Sequence, residues 1–376
     1  LSASKIFINR NLTWGSVQAR DYDPSIAETC YIYRPKRMLY SLPQDVENKK
    51  DNWRVFLTNN YKDFNSIPVS IKPISNNGAM ILFDKESPVK FLGVDNLKLD
   101  AGTKITIGDG ELFNQPLQNV ANADQPHEYG SCQNRLSVIN TPAGLFYISQ
   151  NQGKVFTYGG KGLQEISNEG VKWWFAKYLP YQLTQHPTAF LDPVTGEQRP
   201  FDLDDNSVIG IGCQAVFDNE NQVIYFTKKD WVIREDISDI VTYDKGRYFK
   251  INGVLTVELG DPAYFKPASW TRSFDPKSKQ WISFHDWHPD LTLASKKTFM
   301  TTKEDGLWVH NDTCQSFCNF YGDDYPFEVE YSLHTSGQVN TLRNVMYLME
   351  VYTYAENCYD RYHVLDFNFD EAIIYN

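Results

Sequence analysis

The chain has 376 residues, with 36 Lys and Arg against 47 Asp and Glu, for a formal net charge of −11. That balance argues against a sequence-independent grip on nucleic acid, which needs a basic surface. With 41% hydrophobic and 22% charged residues it is too apolar for intrinsic disorder, yet no unbroken apolar run reaches the roughly 18 residues that span a bilayer.

Aromatic residues (23 Tyr, 23 Phe, 9 Trp) alongside 22 Gly and 18 Pro suit pleated sheets and tight turns rather than long helices. The length fits two or three domains of roughly 100–200 residues, or one large all-β unit. Nothing at the start, from Leu1, reads as a signal peptide. Residues 1–30 are expected to be an N-terminal arm or the continuation of a longer chain.

From there a unit recurs: a polar turn, then a short run of β-branched and aromatic residues that can be buried on both faces. It occurs at 52–57, 76–83, 141–148, 218–226, 275–284 and 303–309, with strands beginning at Trp53, Met80, Leu145, Val223, Trp281 and Leu307. The spacing is too irregular for a strict repeat and suits degenerate four-stranded blades carrying insertions. The expectation is an all-β, degenerate β-propeller-like architecture of short antiparallel blades, over 31–376, with at most short helices.

Residues 104–107 read as a strand returned by a turn at Gly108 and Gly110. The one helical segment is 170–179, where Val171, Trp174, Phe175 and Tyr178 share a face before Pro180 ends it. The stretch 342–354 alternates like a strand. Residues 44–52, 117–130 and 187–206 lack periodicity and read as loops, with 180–207 a candidate insertion. The last residues, 363–376, run as strand-like sequence to the terminus, the expectation for a piece of a longer polypeptide.

Familiar chemical motifs fail on inspection. Gly108-Asp109-Gly110 lacks the third glycine of a dinucleotide cradle, and Gly160-Lys161-Gly162 lacks the Walker spacing. Asp202, Asp204 and Asp205 mimic the start of a calcium loop, but Ser207 and Cys213 stand where Gly and Glu are required. His310, Cys314 and Cys318 offer three zinc ligands where a structural site needs four. The six cysteines, Cys30, Cys132, Cys213, Cys314, Cys318 and Cys358, are too scattered for a disulfide framework, and free thiols are expected.

His285 and His288 flank Trp287, with Asp286 and Asp290 near enough to orient a ring, which suggests either proton transfer or a strand end entering a polar turn. The turn 273–281 resembles the Asp-box of sialidases without its glycine, a device that speaks to fold rather than activity. No nucleophile elbow, His-Glu-x-x-His or Cys-x-x-Cys occurs, and no catalytic residue, cofactor or metal is assigned. Trp173, Trp174, Trp287, Tyr321, Tyr325 and Phe327 are the aromatic residues expected either to anchor an interface or to stack on sugars.

Several stretches together carry a resemblance: 141–149 with 152–156, Gly170-Val171-Lys172-Trp173-Trp174-Phe175, 280–289, Leu307-Trp308-Val309-His310-Asn311, and 319–328. They resemble the stabilisation or muzzle-type tail proteins of crAss-like short-tailed bacteriophages, which are distantly similar to the propeller-bearing tail nozzle, tail tubular protein B. The resemblance runs from about Ile32 onward, is weakest before Asn76 and in 187–206, and rests on packing signatures.

It implies a non-enzymatic virion structural protein, assembled in the host cytoplasm. Such a protein forms a closed ring with itself, six-fold by family analogy, and contacts other tail proteins. The ring surrounds the DNA exit channel and helps retain and then release the genome. An acidic channel wall repels phosphate over about a Debye length of roughly 8 Å, so DNA passes without specific binding. Asp202, Asp204, Asp205, Asp323 and Asp324 are the candidates for that wall, with Asp366, Asp370 and Glu371 beside them. The alternative is a glycan-binding or glycan-processing propeller that recognises a host receptor.

Overall fold

The computed structural model describes residues 34–42, 52, 55–75, 78–92, 95–98, 104–107, 113, 115–192, 195–197, 210–304, 306–310, 318–330, 348–354, 361–365 and 368–373. These residues are all-β apart from one short helix and single 3₁₀ turns.

A two-stranded ribbon, β1 (Arg37–Leu39) with β2 (Tyr61–Asp63), leads into sheet I. Sheet I comprises β3 (Pro68–Ser75), β4 (Gly78–Phe83), β5 (Val89–Leu92) and β8 (Gln118–Asn119). A ribbon of β6 (Asp95–Lys98) and β7 (Lys104–Ile107) interrupts it. Sheet II is an unbroken meander of β9 (Ile139–Thr141), β10 (Gly144–Ser149), β11 (Lys154–Gly159) and β12 (Gly162–Glu165). Helix α1 (Lys172–Tyr178) follows.

Sheet III joins β13 (Gly212–Asp218) and β14 (Val223–Lys229) to β20 (Trp270–Asp275) and β21 (Gln280–His285). Between β14 and β20 lies an insertion. In it β15 (Trp231–Ile233) pairs with β19 (Phe265–Pro267), and β16 (Val241–Lys245), β17 (Tyr248–Ile251) and β18 (Leu255–Glu258) form a three-stranded sheet. Sheet IV has three strands, β22 (Leu291–Ala294), β23 (Phe299–Lys303) and β24 (Gly306–Val309). Hairpins β25 (Asn319–Phe320) with β26 (Asp323–Asp324), and β27 (Val351–Tyr354) with β28 (Arg361–Val364), complete the described elements.

The sheets stack face to face in chain order, and the two-residue period of a strand explains how. In β10, Leu145 and Tyr147 turn toward Met80 and Leu82 of sheet I, whereas Phe146 and Ile148 turn toward Ala215, Ile224 and Phe226 of sheet III. In β13, Val216 faces the other way, toward Phe299 of sheet IV. Inner sheets are therefore covered on both sides, which is why β4 and β10 read as apolar runs rather than alternating ones, and why β13 is buried throughout although Gln214 and Asp218 interrupt its apolar sequence. Each such fully buried side chain contributes about 1.5–3 kcal/mol.

Helix α1 buries Phe175 in the core between sheets II and III. It sits so close to the β10–β11 turn that a Cβ on Gly153, whose φ is +62°, would lie 2.9 Å from the Ala176 backbone. Glycine is required there on both counts. The turns at 219–222 and 276–279 are built alike: Asp218 Oδ1 accepts from the Glu220 N–H at 2.9 Å, and Asp275 Oδ1 from the Lys277 N–H at 2.8 Å. Gln222 and Lys279 take the left-handed position. The Asp-box-like sequence is thus a hairpin device, with Trp281 behind it donating to Ile166 O at 3.0 Å.

A second core forms around the insertion from Phe249, Tyr243 and Phe265 together with Leu183, Ala189 and Phe190, which precede β13. The expected inserted segment beginning at 180 thus packs, over its described part, on a module 40 to 80 residues further along, at Ile233 to Phe265. A buried ion pair joins the two cores. Lys228 Nζ donates to the Asp230 carboxylate and to Tyr178 O (3.0 Å) and Pro180 O (2.7 Å), while Asp230 accepts from the Gln182 N–H at 2.8 Å.

Two expectations change. Of the strand expected from Trp53, the described residues 55–57 show a bridge at Phe56, and Trp53 and Arg54 lie outside the described residues. Of the C-terminal alternation over 363–376, the described residues give the end of β28 at 363–364 and irregular backbone at 368–373, with 366–367 and 374–376 outside the described residues. The strand expected over 342–354 is β27, with 342–347 outside the described residues.

Candidate functional surfaces

Helix α1 divides the neighbouring tryptophans by its geometry. Trp173 is 84% exposed, while Trp174, one position on, turns onto sheet III. The Trp174 ring lies 5.0 Å from Trp270, 5.2 Å from Tyr178 and 5.2 Å from Phe284. Among these rings sits Arg272, the cross-strand partner of Phe284. The Arg272 guanidinium carbon is 3.8 Å from the Phe284 ring centroid and 4.6 Å from that of Trp174. The residue is 5% exposed, and Nε and Nη1 have no hydrogen-bond partner among the described residues.

Cation–π attraction offsets part of that desolvation, by about 2 kcal/mol where water is excluded. Burial still lowers the Arg272 pKa to about 10, so the side chain stays cationic at neutral pH. The edge strand β21 carries a bulge, Ser273 pairing with Ser283 and Phe274 with Trp281, which leaves Ile282 unpaired and exposed beside this face. The result is a surface of Trp174, Ile282 and Phe284 over a fixed positive charge whose Nε and Nη1 have no acceptor among the described residues, with Trp173 exposed on the adjoining helix. An anionic group carried on an apolar body fits that chemistry.

Trp287 lies elsewhere than expected. It is 2% exposed, enclosed between sheets III and IV, with Phe320 and His310 stacked at 5.4 Å and Tyr225 at 5.4 Å. It packs within its own chain and offers no ring to a partner or a sugar. The cause is non-local: sheet IV and the β25 hairpin cover a position that the neighbouring His-Asp and His-Pro pairs mark as a surface turn.

The histidines belong to the same enclosed cluster. His285 Nε2 lies 3.0 Å from Ser273 Oγ, and His310 Nε2 lies 2.6 Å from Thr301 Oγ1 with its ring parallel to Phe299. Burial lowers His285, His288 and His310 each to about 4, so all three are neutral at pH 7. His285 and His310 pack there as aromatic rings, and none of the three has the near-neutral pKa that suits proton transfer.

Tyr321 is half-buried, its hydroxyl 2.9 Å from Thr301 Oγ1 and its own pKa raised by burial. Tyr325 is half-buried beside Phe320. Phe327 is exposed and stacks on Phe369 at 6.4 Å. The structure thus brings Tyr321 and Tyr325 near Trp287 and leaves Trp173, Trp174 and Phe327 apart from them. Asp323 and Asp324 are exposed on β26, where Asp324 accepts from Asn319 Nδ2 at 2.7 Å. Asp202, Asp204, Asp205, Asp366, Cys314 and Gly108 to Gly110 lie outside the described residues. Among the described residues no three His, Cys, Asp or Glu side chains converge on a metal position, and no helix is long and apolar enough to cross a membrane.

Two features escape inspection of motifs. Arg272 shares the inward face of β20 with Trp270 and Phe274, a charge in an apolar register that the two-residue period exposes once the strand is recognised. Lys228 and Asp230 stand at the end of an apolar run, and nothing local marks them as buried. In comparisons with protein-family models and with curated proteins, the chain matches none.

Proposed function

We propose that the chain is a bacteriophage tail structural protein of the muzzle or nozzle type, its sheets arranged as propeller-like blades. It forms a closed ring with itself, six-fold by analogy, around the DNA exit channel and meets other tail proteins above and below. Its task there is geometric, retaining the genome and then releasing it, without enzymatic chemistry, cofactor or specific DNA contacts. The acidic balance of the chain suits a conduit through which phosphate must slide, with Asp323 and Asp324 exposed for such a wall.

The observation that carries this reading is where the resembling stretches fall. Residues 141–149 and 152–156 form β9 to β11, 170–175 begin α1, 280–289 contain β21 and the Trp287 joint, and 307–309 form β24. The first three are packing joints of a stacked-sheet body, whereas β24 is an exposed edge strand with Leu307 and Val309 on the surface, as are Trp173 and Phe284. The native mass of the whole chain at moderate salt tests the reading. A closed multiple of the chain mass supports it, and a persistent monomer up to high micromolar concentration refutes self-assembly.

The second reading is a glycan-recognising module, favoured by the Trp173 and Arg272 face, whose chemistry suits an acidic sugar. Saturable binding of a uronate or sialate oligosaccharide by the monomer, lost in Trp173→Ala, would establish it in place of the first.

A further inference from the structure

The face around Arg272 is locally basic on an acidic chain. Lys172 and Lys177 project from α1, and Lys277 and Lys279 from the turn before β21, all exposed. Lys172 and Lys177 share helix α1 with Trp173, and Lys277 and Lys279 share the β20–β21 hairpin with Arg272, Ile282 and Phe284. Arg272 Nε and Nη1 have no acceptor among the described residues, a costly arrangement unless an acceptor arrives. Phe284 and Trp174 lie over the guanidinium, at 3.8 and 4.6 Å from its carbon, and an acceptor reaches the donors only when the 55% exposed Phe284 ring turns aside.

The complement lies on another element of the same chain. At the end of the inserted sheet, Val254 is 87% exposed, with Leu255 and Ile240 exposed beside it. Asn252 and Gly253, at φ of 50° and 74°, form the turn. The Asn252 side chain clamps the adjacent loop, accepting from the Ile240 N–H at 2.9 Å and donating to Asp239 Oδ1 at 2.7 Å. One Asp239 oxygen is thereby fixed. Glu235 and Asp239 are exposed on the approach to it. This is an apolar tip with Glu235 and Asp239 exposed near it and with Lys250, 3.8 Å from Asp244, on the strand that enters the turn.

We propose that these two surfaces are the two halves of one junction: the Ile240–Val254–Leu255 tip of one copy seats on the Trp173–Phe284 face of the next, placing the Asp239 carboxylate on the Arg272 guanidinium. Charge complementarity and the match of apolar tip to apolar face select a second copy of this acidic chain as the occupant. Because the two patches differ, the contact is heterologous, and repetition of it generates a ring or a filament rather than a closed two-fold dimer. The junction deepens the assembly reading above and rests on it.

The test uses the full chain and exposed positions whose substitution spares the core. Native mass is measured for the wild type, Trp173→Asp, Val254→Asp and Asp239→Asn, and for a one-to-one mixture of the first two variants. Each single variant is expected to weaken association at least tenfold. The mixture retains one intact face and one intact tip, so it should form one-to-one pairs that grow no further. Wild-type assembly that all three variants leave untouched overturns this junction while the assembly reading survives. So do variants that lose assembly but form no pairs when mixed, since two like patches then meet. A wild type that never associates overturns both.

Discussion

Lowering the pH from 7.5 to 5.0 should cost this protein several kcal/mol, and the loss should come from histidines rather than carboxylates. His285, His288 and His310 titrate at about 4 in the folded chain, against an ordinary value of 6.5, because burial disfavours the imidazolium. Below pH 6.5 the unfolded chain takes up three protons that the folded chain refuses, so stability is complete above that pH and falls as pH drops toward 4. At pH 5 a full shift costs about 2 kcal/mol per ring, or about 6 in all. The rings retain partial solvent contact, which halves the figure to about 3 kcal/mol.

Carboxylates held low by their partners, such as Asp236 at about 2 beside Arg234, titrate below this window. Urea unfolding followed by tryptophan fluorescence at pH 7.5, 6.0 and 5.0 reads the effect directly. His310→Gln, which keeps a polar partner for Thr301, should remove about a third of the slope. Equal stability at pH 7.5 and 5.0, or a variant as pH-sensitive as the wild type, would falsify the argument that these rings are buried neutral.

Lys228→Met leaves the Asp230 carboxylate buried without its cation and should destabilise by about 3–5 kcal/mol. Adding Asp230→Asn should recover a large part, since the amide oxygen can still accept from Gln182, and chemical denaturation of both variants checks this. Trp281→Ala empties the junction of α1 with sheets II and III and should cost about 3–5 kcal/mol, seen as a lower urea midpoint at unchanged slope. Trp174→Ala should likewise lower the melting temperature, whereas Trp173→Ala should change stability by less than about 0.5 kcal/mol, and equal effects would place both rings in the core.

Local chemistry made most of the strands legible. The turns before Val223 and Leu145, and the proline-bearing turn before Trp281, set where β14, β10 and β21 begin, and apolar runs on both sides of the pleat marked sheets that would be covered twice. The helix at 172–178 was equally plain, because Val171, Trp174, Phe175 and Tyr178 fall on one face and Pro180 ends it. What was not legible depends on which sheet covers which. Trp287 sits in a polar stretch and is sealed by a hairpin more than thirty residues away, at Phe320. The second core draws Phe190 and Tyr243 from opposite sides of β13, a juxtaposition no window of sequence contains. Arg272 lay between its chemistry and its register: as a charge it suggested solvent, as the residue between Trp270 and Phe274 it belonged inside.

The insertion departs at the end of β14 and returns at the start of β20, and these strands are immediate neighbours, Lys228 standing opposite Trp270. Host and guest therefore share a doorway one ladder rung wide. The hydrogen bonds of sheet III close across it whatever the guest contains, so its length and tip can drift over generations while the host's register is preserved. What the tip touches can be retuned by exchanging the few residues of the turn at 252–254, while Tyr243, Phe249 and Phe265, which pack with Leu183, Ala189 and Phe190, stay in place.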